Sequence, residues 1–211
     1  LILLIAACGI PSTAAAQLSY TYGPADAPIG CPVHVTLNND TTSYVLWDPC
    51  GFRIVDAAGN PVYVPPCAGP VGIAPGSTHM LTWPQTDTQG AQVPPGSYHL
   101  VNLAGPEIRV GTVDLAISPL GATKTGTARA FQVCSPQDPG ASFFVIASGA
   151  TSPGIPTCGG TIPLQRDRFM RLSLTSPGTF RGFRGQLDGA GLATSPHLVV
   201  PDDPSLVGTR L

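Results

Sequence analysis

The chain has 211 residues and a formal net charge of −2, and 43% of its residues are hydrophobic while only 10% are charged. This balance excludes a chain kept disordered by charge repulsion, and it provides no basic field for nucleic acid or for anionic lipid. The 25 glycines and 24 prolines disfavour long helices, and because the glycines keep no three-residue period, collagen is excluded as well.

The first residues have the features of a secretory signal peptide. Leu1–Ala7 are all apolar, Pro11 interrupts the run, and Ala14-Ala15-Ala16 is the small-residue pattern that a signal peptidase recognises. We therefore predict a signal peptide over residues 1–16, truncated at its N-terminus, and a chain that stops inside its last domain at Leu211.

A second interpretation of the same region is a lipid anchor. Ile5-Ala6-Ala7-Cys8 resembles a bacterial lipobox, in which Cys8 is lipidated and becomes the mature N-terminus. Both interpretations predict a secreted bacterial protein, either extracellular or attached to the cell envelope.

From residue 31 onward the hydrophobic pattern is that of short strands. Val33, Val35 and Leu37 alternate with more polar residues, among them His34 and Thr36. This period of two predicts a strand with one buried face and one face exposed to water. Tyr44–Trp47 is predicted to form the next strand.

A hairpin follows, with Phe52–Val55 and Val62–Val64 on either side of Asp56-Ala57-Ala58-Gly59-Asn60. An Asp that opens a turn and a Gly that closes it are typical of a type I turn followed by a residue with positive φ. With the turn centred between Ala58 and Gly59, Cys50 and Cys67 face each other across the hairpin. The register therefore predicts a Cys50–Cys67 disulfide; a bridge from Cys31 to one of these two is the alternative.

The same turn signals recur along the chain. Asp-x-x-Gly returns at Asp87–Gly90 and Asp188–Gly191, and Pro-Gly-Ser or Pro-Gly-Thr begins at Pro75, Pro95 and Pro177. Turns at such intervals are typical of β-sandwiches. We predict an all-β chain with two immunoglobulin-like or β-sandwich domains in tandem and little or no helix outside the signal peptide.

A small, polar stretch near residues 118–128 predicts the boundary between the domains, 17–119 and 120–211. The second domain is predicted to contain strands at residues 130–133, 142–147, 169–174, 180–187 and 192–200. Its two cysteines, Cys134 and Cys158, are predicted to form a stabilising bridge.

Three stretches of the first domain carry a resemblance: Asp56–Tyr63, Ala74–Ser77 and Leu81–Tyr98. On these residues, the segment 31–103 resembles an immunoglobulin-like module of the intracellular proteinase inhibitor type. The resemblance implies a sandwich with a core Trp and a strand Tyr. The matching residues favour the sandwich far more than they favour inhibition of proteases, because fold does not determine function.

A second resemblance covers residues 129–211. Ser152–Pro156, Phe183–Asp188 and Leu206-Val207-Gly208 are similar to a C-terminal module of uncharacterised secreted bacterial proteins. This resemblance implies a sandwich-like fold and no activity.

The residues that carry enzymatic chemistry form no recognisable motif. The sequence contains no Gly-x-Ser-x-Gly, no phosphate-binding loop and no His-Glu-x-x-His. The histidines are His34, His79, His99 and His197, and the first and third lie in strand patterns where a solvent-facing role is favoured. We predict a protein that is not an enzyme and that has no catalytic residues, cofactor or metal.

Three weaker signals are better explained by structural roles. Asp202-Asp203 supplies too few oxygens for calcium, so a polar turn is favoured. Asn39-Asp40-Thr41 matches a glycosylation sequon that also arises by chance. Core packing is favoured over a carbohydrate-stacking surface for the aromatic set Trp47, Trp83, Tyr44, Tyr63 and Tyr98.

Arginines form the one cluster of charge, and a scattered, solvated surface is favoured over an acidic-glycan site for them. The cluster consists of Arg166, Arg168, Arg171, Arg181 and Arg184. The sequence thus predicts a secreted structural or binding protein whose partner is a protein or a glycan. The alternatives are a protease inhibitor that presents Pro65–Pro75 as its loop, and a glycan-binding module.

Overall fold

The computed structural model describes residues 18–66, 69–101, 107–121, 126–157 and 160–202, together with the backbone of Ile2–Leu3. The described chain is mostly strand, with one short α-helix, and this confirms the predicted all-β, sandwich-like class. The chain separates into an N-terminal unit, Ile10–Ala122 with Cys134–Gln137, and a C-terminal unit, Thr123–Val133 with Asp138–Leu211 and the first residues of the chain. The predicted division into domains 17–119 and 120–211 stays a prediction.

The first twelve strands are short, as the dense turn signals predict. They are β1 Ile2–Leu3, β2 Ser19–Gly23, β3 Asp26–Ala27, β4 Val33–Asn38, β5 Val45–Trp47, β6 Arg53–Asp56, β7 Pro61–Tyr63, β8 Val71–Ile73, β9 Thr78–Trp83, β10 Gly96–Val101, β11 Glu107–Val110 and β12 Ala116–Leu120.

Two sheets of the N-terminal unit share one hydrophobic core. The five-stranded sheet has the order β3-β11-β10-β6-β7, and the three-stranded sheet has the order β2-β4-β9. Val33 and Trp83 from the smaller sheet belong to the same buried cluster as Ile54, Leu100 and Ile108 from the larger one. Apolar side chains from two sheets that meet in one core define a β-sandwich. A separate ribbon pairs β5 with β8.

The core tryptophan and tyrosine predicted for this unit lie at its centre. Trp83 is only 1% exposed and meets Tyr98 edge to face, with 5.2 Å between the ring centroids. The Tyr98 hydroxyl donates to the Pro94 carbonyl at 2.6 Å. A tyrosine that bonds back to the backbone a few residues upstream is typical of immunoglobulin-like sandwiches.

Strand β4 differs from the prediction of one face exposed to water. His34 and Thr36 are buried, as are Val33, Val35 and Leu37. The prediction was wrong because β4 is the central strand of its sheet, and β12 contacts both β2 and β4. Period-two polarity indicates only which face of a strand is more polar, and not whether that face is exposed to water.

The three Asp-x-x-Gly turns are confirmed, and they share one network. In each, the Asp Oδ1 accepts hydrogen bonds from the amides two and four residues later, at 2.8–2.9 Å. The glycines Gly59, Gly90 and Gly191 have φ of 84°, 87° and 74°, the left-handed conformation that favours glycine. In the first turn, hydrogen bonds from the Asn60 side chain and backbone lower the pKa of Asp56.

The later elements make up most of the C-terminal unit. They are β13 Ala128–Cys134, β14 Ser142–Val145, β15 Ile155–Thr157, β16 Gly160–Ile162, α1 Arg168–Thr175, β17 Phe180–Arg181, β18 Arg184–Gln186, β19 Leu192–Ala193 and β20 His197–Val199.

Small sheets and an aromatic cluster build this unit. Strand β14 lies between β1 and β18, β15 pairs with β16, and β20 lies between β13 and β17. Phe183 meets both Phe131 and Phe180 edge to face, and Phe180 in turn meets Phe169. These ring pairs connect α1 to β13 and β17.

The segment 169–174, predicted as a strand, lies in helix α1. Asp167 is the N-cap: its Oδ1 accepts from the Met170 amide at 2.6 Å. Met170 packs against buried apolar residues and Ser173 is buried, so the inward positions are three residues apart. The strand prediction was wrong because a short apolar run fits a buried strand and one face of a helix equally well.

The disulfide pattern also differs from the prediction. Cys31 bonds to Cys134, and both residues are buried. The predicted Cys134–Cys158 bridge is therefore wrong, as is the alternative that Cys31 pairs with Cys50 or Cys67. A buried disulfide is compatible with an extracellular protein.

Cys50 is disulfide-bonded, but its predicted partner Cys67 lies outside the described residues. The predicted register holds at Ile54↔Tyr63 and shifts by one residue at Val55↔Pro61. Cys50 itself lies in a 3₁₀ turn, Pro49–Gly51, rather than on a paired strand. The Cys50–Cys67 bridge stays a prediction.

The predicted processing sites lie outside the described residues. The sites are the signal peptide over 1–16, of which only the backbone of Ile2–Leu3 is described, and the lipidation candidate Cys8. The last residues up to Leu211 also lie outside the described chain. No helix within the described ranges is both long and apolar enough to cross a membrane.

Candidate functional site

The four histidines lie on four different strands, and three of them have side-chain contacts within the fold. His34 Nδ1 lies 3.1 Å from the Thr82 hydroxyl, and His197 Nδ1 lies 2.6 Å from the Ser195 carbonyl. His79 packs against Trp47, and His99 lies on β10 between two neighbouring strands. Three of these histidines are thus accounted for by contacts within the fold. The prediction of no enzymatic activity stays a prediction.

Candidate metal ligands do not converge in the part of the chain that the structure describes. No group of three or more His, Cys, Asp and Glu side chains there has the arrangement of a metal site. Asp202 is exposed at the end of the described chain, and Asp203 lies outside it.

The sequon asparagine, Asn39, has a structural role. It is 0% exposed, and its Nδ2 donates to the carbonyls of Ser43 and Ile73, both at 2.8 Å. Its Oδ1 accepts from the Thr41 amide and hydroxyl. A glycan on Nδ2 is incompatible with this geometry, because the atom is buried and donates both of its hydrogens. Asn39 instead joins the end of β4 to the loop before β5 and to β8.

The predicted aromatic set divides into core and surface. Trp83 and Tyr98 are buried, and Trp47 and Tyr63 are partly buried against the same core. Tyr44 is 63% exposed. Packing against the core is thus the role of four members, and a surface role is open only to Tyr44.

Tyr44 lies across the backbone of Gly72. A Cβ on Gly72 would overlap the hydroxyl and the ring of Tyr44, so the ring occupies the space that a side chain would take. Leu46 pairs with Gly72 across the ribbon, which places Tyr44 and Leu46 on the same side. Leu46 is 71% exposed. We call these three residues the Tyr44–Leu46 face.

The predicted inhibitory loop, Pro65–Pro75, lies next to this face. It contains β8, and therefore Gly72, and its residues 67 and 68 lie outside the described chain. Part of the predicted loop is thus a strand of the β5–β8 ribbon rather than an irregular loop.

The C-terminal unit contains a cleft of about 320 Å³ between the end of α1 and strands β17 and β18. We call it the Arg184 cleft. Its lining residues are Phe144, Ser173, Leu174, Pro177, Phe180, Gly182, Phe183 and Arg184. The lining is mostly aromatic and aliphatic, with one cation.

Arg184 differs from the other members of the predicted arginine cluster. Its guanidinium lies 4.5 Å from the centroid of the Phe144 ring, a cation–π contact. Within the described residues it has no ion pair, whereas Arg109 binds Asp26. All five arginines of the cluster are exposed, and only Arg184 lines the cleft.

The carboxylate nearest in sequence to α1 is engaged in holding that helix. Asp167 accepts from the amides of Met170 and Gly149 and from the Ser148 hydroxyl. Burial raises the pKa of Asp167, but these hydrogen bonds outweigh it and lower the pKa overall. The network positions the helix that forms one wall of the cleft.

The sequence identified Tyr44 and Arg184 as candidates but did not predict which residues surround them. It missed Leu46, because all four residues of the predicted strand 44–47 are apolar or aromatic and no polar face distinguishes the two sides. It also missed the apolar lining of the cleft, whose members lie on several separate elements.

No protein-family model matches the chain, and no curated protein matches it. Among solved structures, it is weakly similar to the native conformation of E. coli alpha-2-macroglobulin, with 14% sequence identity and a TM-score of 0.29. The match covers 89% of this chain and 12% of that chain, so this chain spans about an eighth of its length. A TM-score this low supports no argument about fold or function, and both predicted family resemblances stay predictions.

Proposed function

We propose that this is a secreted, non-enzymatic binding protein of the bacterial cell exterior, and that the Tyr44–Leu46 face contacts a partner protein. The observation that carries the proposal is the position of Tyr44 on Gly72. A glycine inside a strand costs roughly 0.5–1 kcal/mol relative to alanine, and Gly72 has no left-handed φ to require it. Its role is to make room for an aromatic ring that remains 63% exposed.

The chemistry of the face favours a protein partner. Tyr44 presents its outer ring face, and Leu46 beside it presents a branched aliphatic side chain to water. Exposed apolar side chains that adjoin on a supported surface are typical of protein contacts, where aromatic residues are enriched. A sugar ring stacks on an aromatic face but gains little from an adjacent leucine.

Two alternatives share this region of the molecule. Glycan binding would use Tyr44 alone, and protease inhibition would use Pro65–Pro75, which includes the β8 strand under Tyr44. The buried Cys31–Cys134 bridge agrees with an oxidising compartment for all three.

The test compares two matched variants, Leu46→Gln and Met80→Gln. Leu46 and Met80 are both large, exposed apolar residues. On strand β9, His79 packs against Trp47, and Met80, the next residue along the strand, points to the opposite side. Proteins captured from the culture supernatant or cell envelope are purified, and their affinities for the variants are measured by calorimetry. We expect Leu46→Gln to weaken binding about tenfold or more and Met80→Gln to leave it unchanged.

The same variants separate the alternatives. Retention on polysaccharide columns that is lost in Tyr44→Ala but kept in Leu46→Gln would replace the protein partner with a glycan. Inhibition of a secreted protease would assign the inhibitor function, and turnover on ester or glycoside substrates would overturn the non-enzymatic proposal. Equal affinities of wild type and Leu46→Gln would overturn the role of the face.

A further inference from the structure

The Arg184 cleft combines an apolar interior with a cation that has no carboxylate partner among the described residues. We propose that it is a binding site for a small organic carboxylate with an apolar body. This site lies in the C-terminal unit and is independent of the Tyr44–Leu46 face. No feature of the proposed function requires it.

The cleft walls select an apolar body. Phe144, Phe180 and Phe183 supply aromatic surface, and Leu174 and Pro177 close the side next to α1. Replacement of the water beside these carbon surfaces by the carbon atoms of a ligand is favourable. The one buried hydroxyl of the lining, on Ser173, already donates to the Met170 carbonyl at 2.8 Å.

The guanidinium of Arg184 selects the charge. Stacking on Phe144 fixes the guanidinium at the cleft wall and leaves its N–H edge for a ligand. The planar fork of N–H donors matches the two oxygens of a carboxylate. Two carboxylates of the same unit are engaged elsewhere: Asp167 caps α1, and Asp188 opens a turn.

The volume limits the size of the ligand. A cleft of about 320 Å³ holds roughly ten water molecules at the density of the liquid and lies at the lower end of ligand pockets. It fits one aromatic ring or a medium-length aliphatic chain rather than an oligosaccharide or a folded partner. The ligand class is therefore an aromatic or aliphatic monocarboxylate.

The experiment titrates the full chain with 3-phenylpropanoate and, separately, with its uncharged amide, while two-dimensional amide NMR spectra are recorded. We expect saturable shifts around the cleft with a dissociation constant of about 1 mM or below, the range for a ligand of this size. The amide and the Arg184→Gln variant should bind roughly ten- to a hundredfold more weakly, because a charge-assisted hydrogen-bond pair is lost.

Two further variants complete the test. Leu174→Trp fills the cleft from a partly exposed helix position and should abolish the shifts, whereas Arg171→Gln removes an exposed arginine outside the lining and should change nothing. Absence of saturable shifts, equal binding of acid and amide, or full binding by Arg184→Gln overturns the proposal. Binding of a peptide that ends in Phe, with no binding of the free acid, overturns the small-molecule assignment. None of these outcomes depends on the Tyr44–Leu46 face.

Discussion

Asn39 offers a sharp test of how the Tyr44–Leu46 face is held in place. Its two Nδ2 hydrogens donate to the carbonyls of Ser43 and Ile73, and Ser43 directly precedes Tyr44. The perturbation is Asn39→Asp, which keeps the shape of the side chain and replaces a double donor with an acceptor. We expect this change to destabilise the protein and to loosen Tyr44.

The magnitude follows from the number of carbonyls that lose a donor. Ser43 is exposed and its carbonyl also accepts from the Thr41 hydroxyl, so the main cost falls on the buried contact with the Ile73 carbonyl. A buried carbonyl left without a partner costs roughly 1–3 kcal/mol, which is the loss expected at pH 7. A carboxylate held against two carbonyls has its folded-state pKa raised above the unfolded value near 4. The penalty therefore grows as the pH rises above about 4 and shrinks below it, where the protonated acid again donates one hydrogen bond.

The assay is urea-induced unfolding of wild type and Asn39→Asp at pH 7 and pH 4, followed by circular dichroism and tryptophan fluorescence. The control is Asp40→Asn, the reverse substitution at the exposed neighbouring residue, which should stay within about 0.5 kcal/mol of wild type. A loss below about 1 kcal/mol at pH 7, or the same loss at both pH values, would show that Asn39 does not hold the ribbon in this way.

Three further predictions concern other parts of the N-terminal unit. Replacing both residues of the Cys31–Cys134 bridge with alanine should lower the free energy of unfolding by about 4–5 kcal/mol, because the bridge spans 103 residues. Urea-induced unfolding measures this loss, and a loss below about 2 kcal/mol contradicts the assigned pairing. Asp56→Ala should make the free energy of unfolding fall less steeply with decreasing pH below about pH 4. The pKa of Asp56 is lowered in the folded state, so the stability that its carboxylate contributes is lost as the pH falls through that pKa. An unchanged slope of the free energy of unfolding against pH refutes this prediction. Gly72→Ala should displace Tyr44 and weaken partner binding as much as Tyr44→Ala does, and normal affinity of Gly72→Ala would contradict the role given to the glycine.

The features that sequence reasoning predicted well are those decided by a few consecutive residues. In the turn from Asp56 to Asn60, one carboxylate oxygen, two amides and one glycine with positive φ specify the geometry. The same five-residue arrangement repeats at Asp87–Ala91 and Asp188–Leu192, whereas Asp48–Gly51, which also reads Asp-x-x-Gly, forms a 3₁₀ turn instead. Local hydrogen bonding of this kind can be deduced from sequence spacing.

The features that were predicted wrongly depend on residues far apart in the chain. Cys134 is 24 positions from Cys158 but bonds to Cys31, because packing, rather than sequence separation, brings two sulfurs together. The polar face of β4 is buried for a related reason: β12 contacts β4 from some eighty residues away. Neither outcome is encoded in a local pattern.

The Arg184 cleft shows why a candidate site was harder to predict than the fold. One wall is helix α1, the element for which the local pattern favoured a strand. In a strand over 169–174, the side chains of Ser173 and Leu174 would point to opposite faces. In the helix, Ser173 is buried, and both residues line the cleft. Arg184 was visible in the sequence as one of five arginines, but only the fold places it on Phe144. What distinguishes it from the other four is therefore its aromatic surroundings, and a ligand that requires Arg184 but not Arg171 would demonstrate that distinction directly.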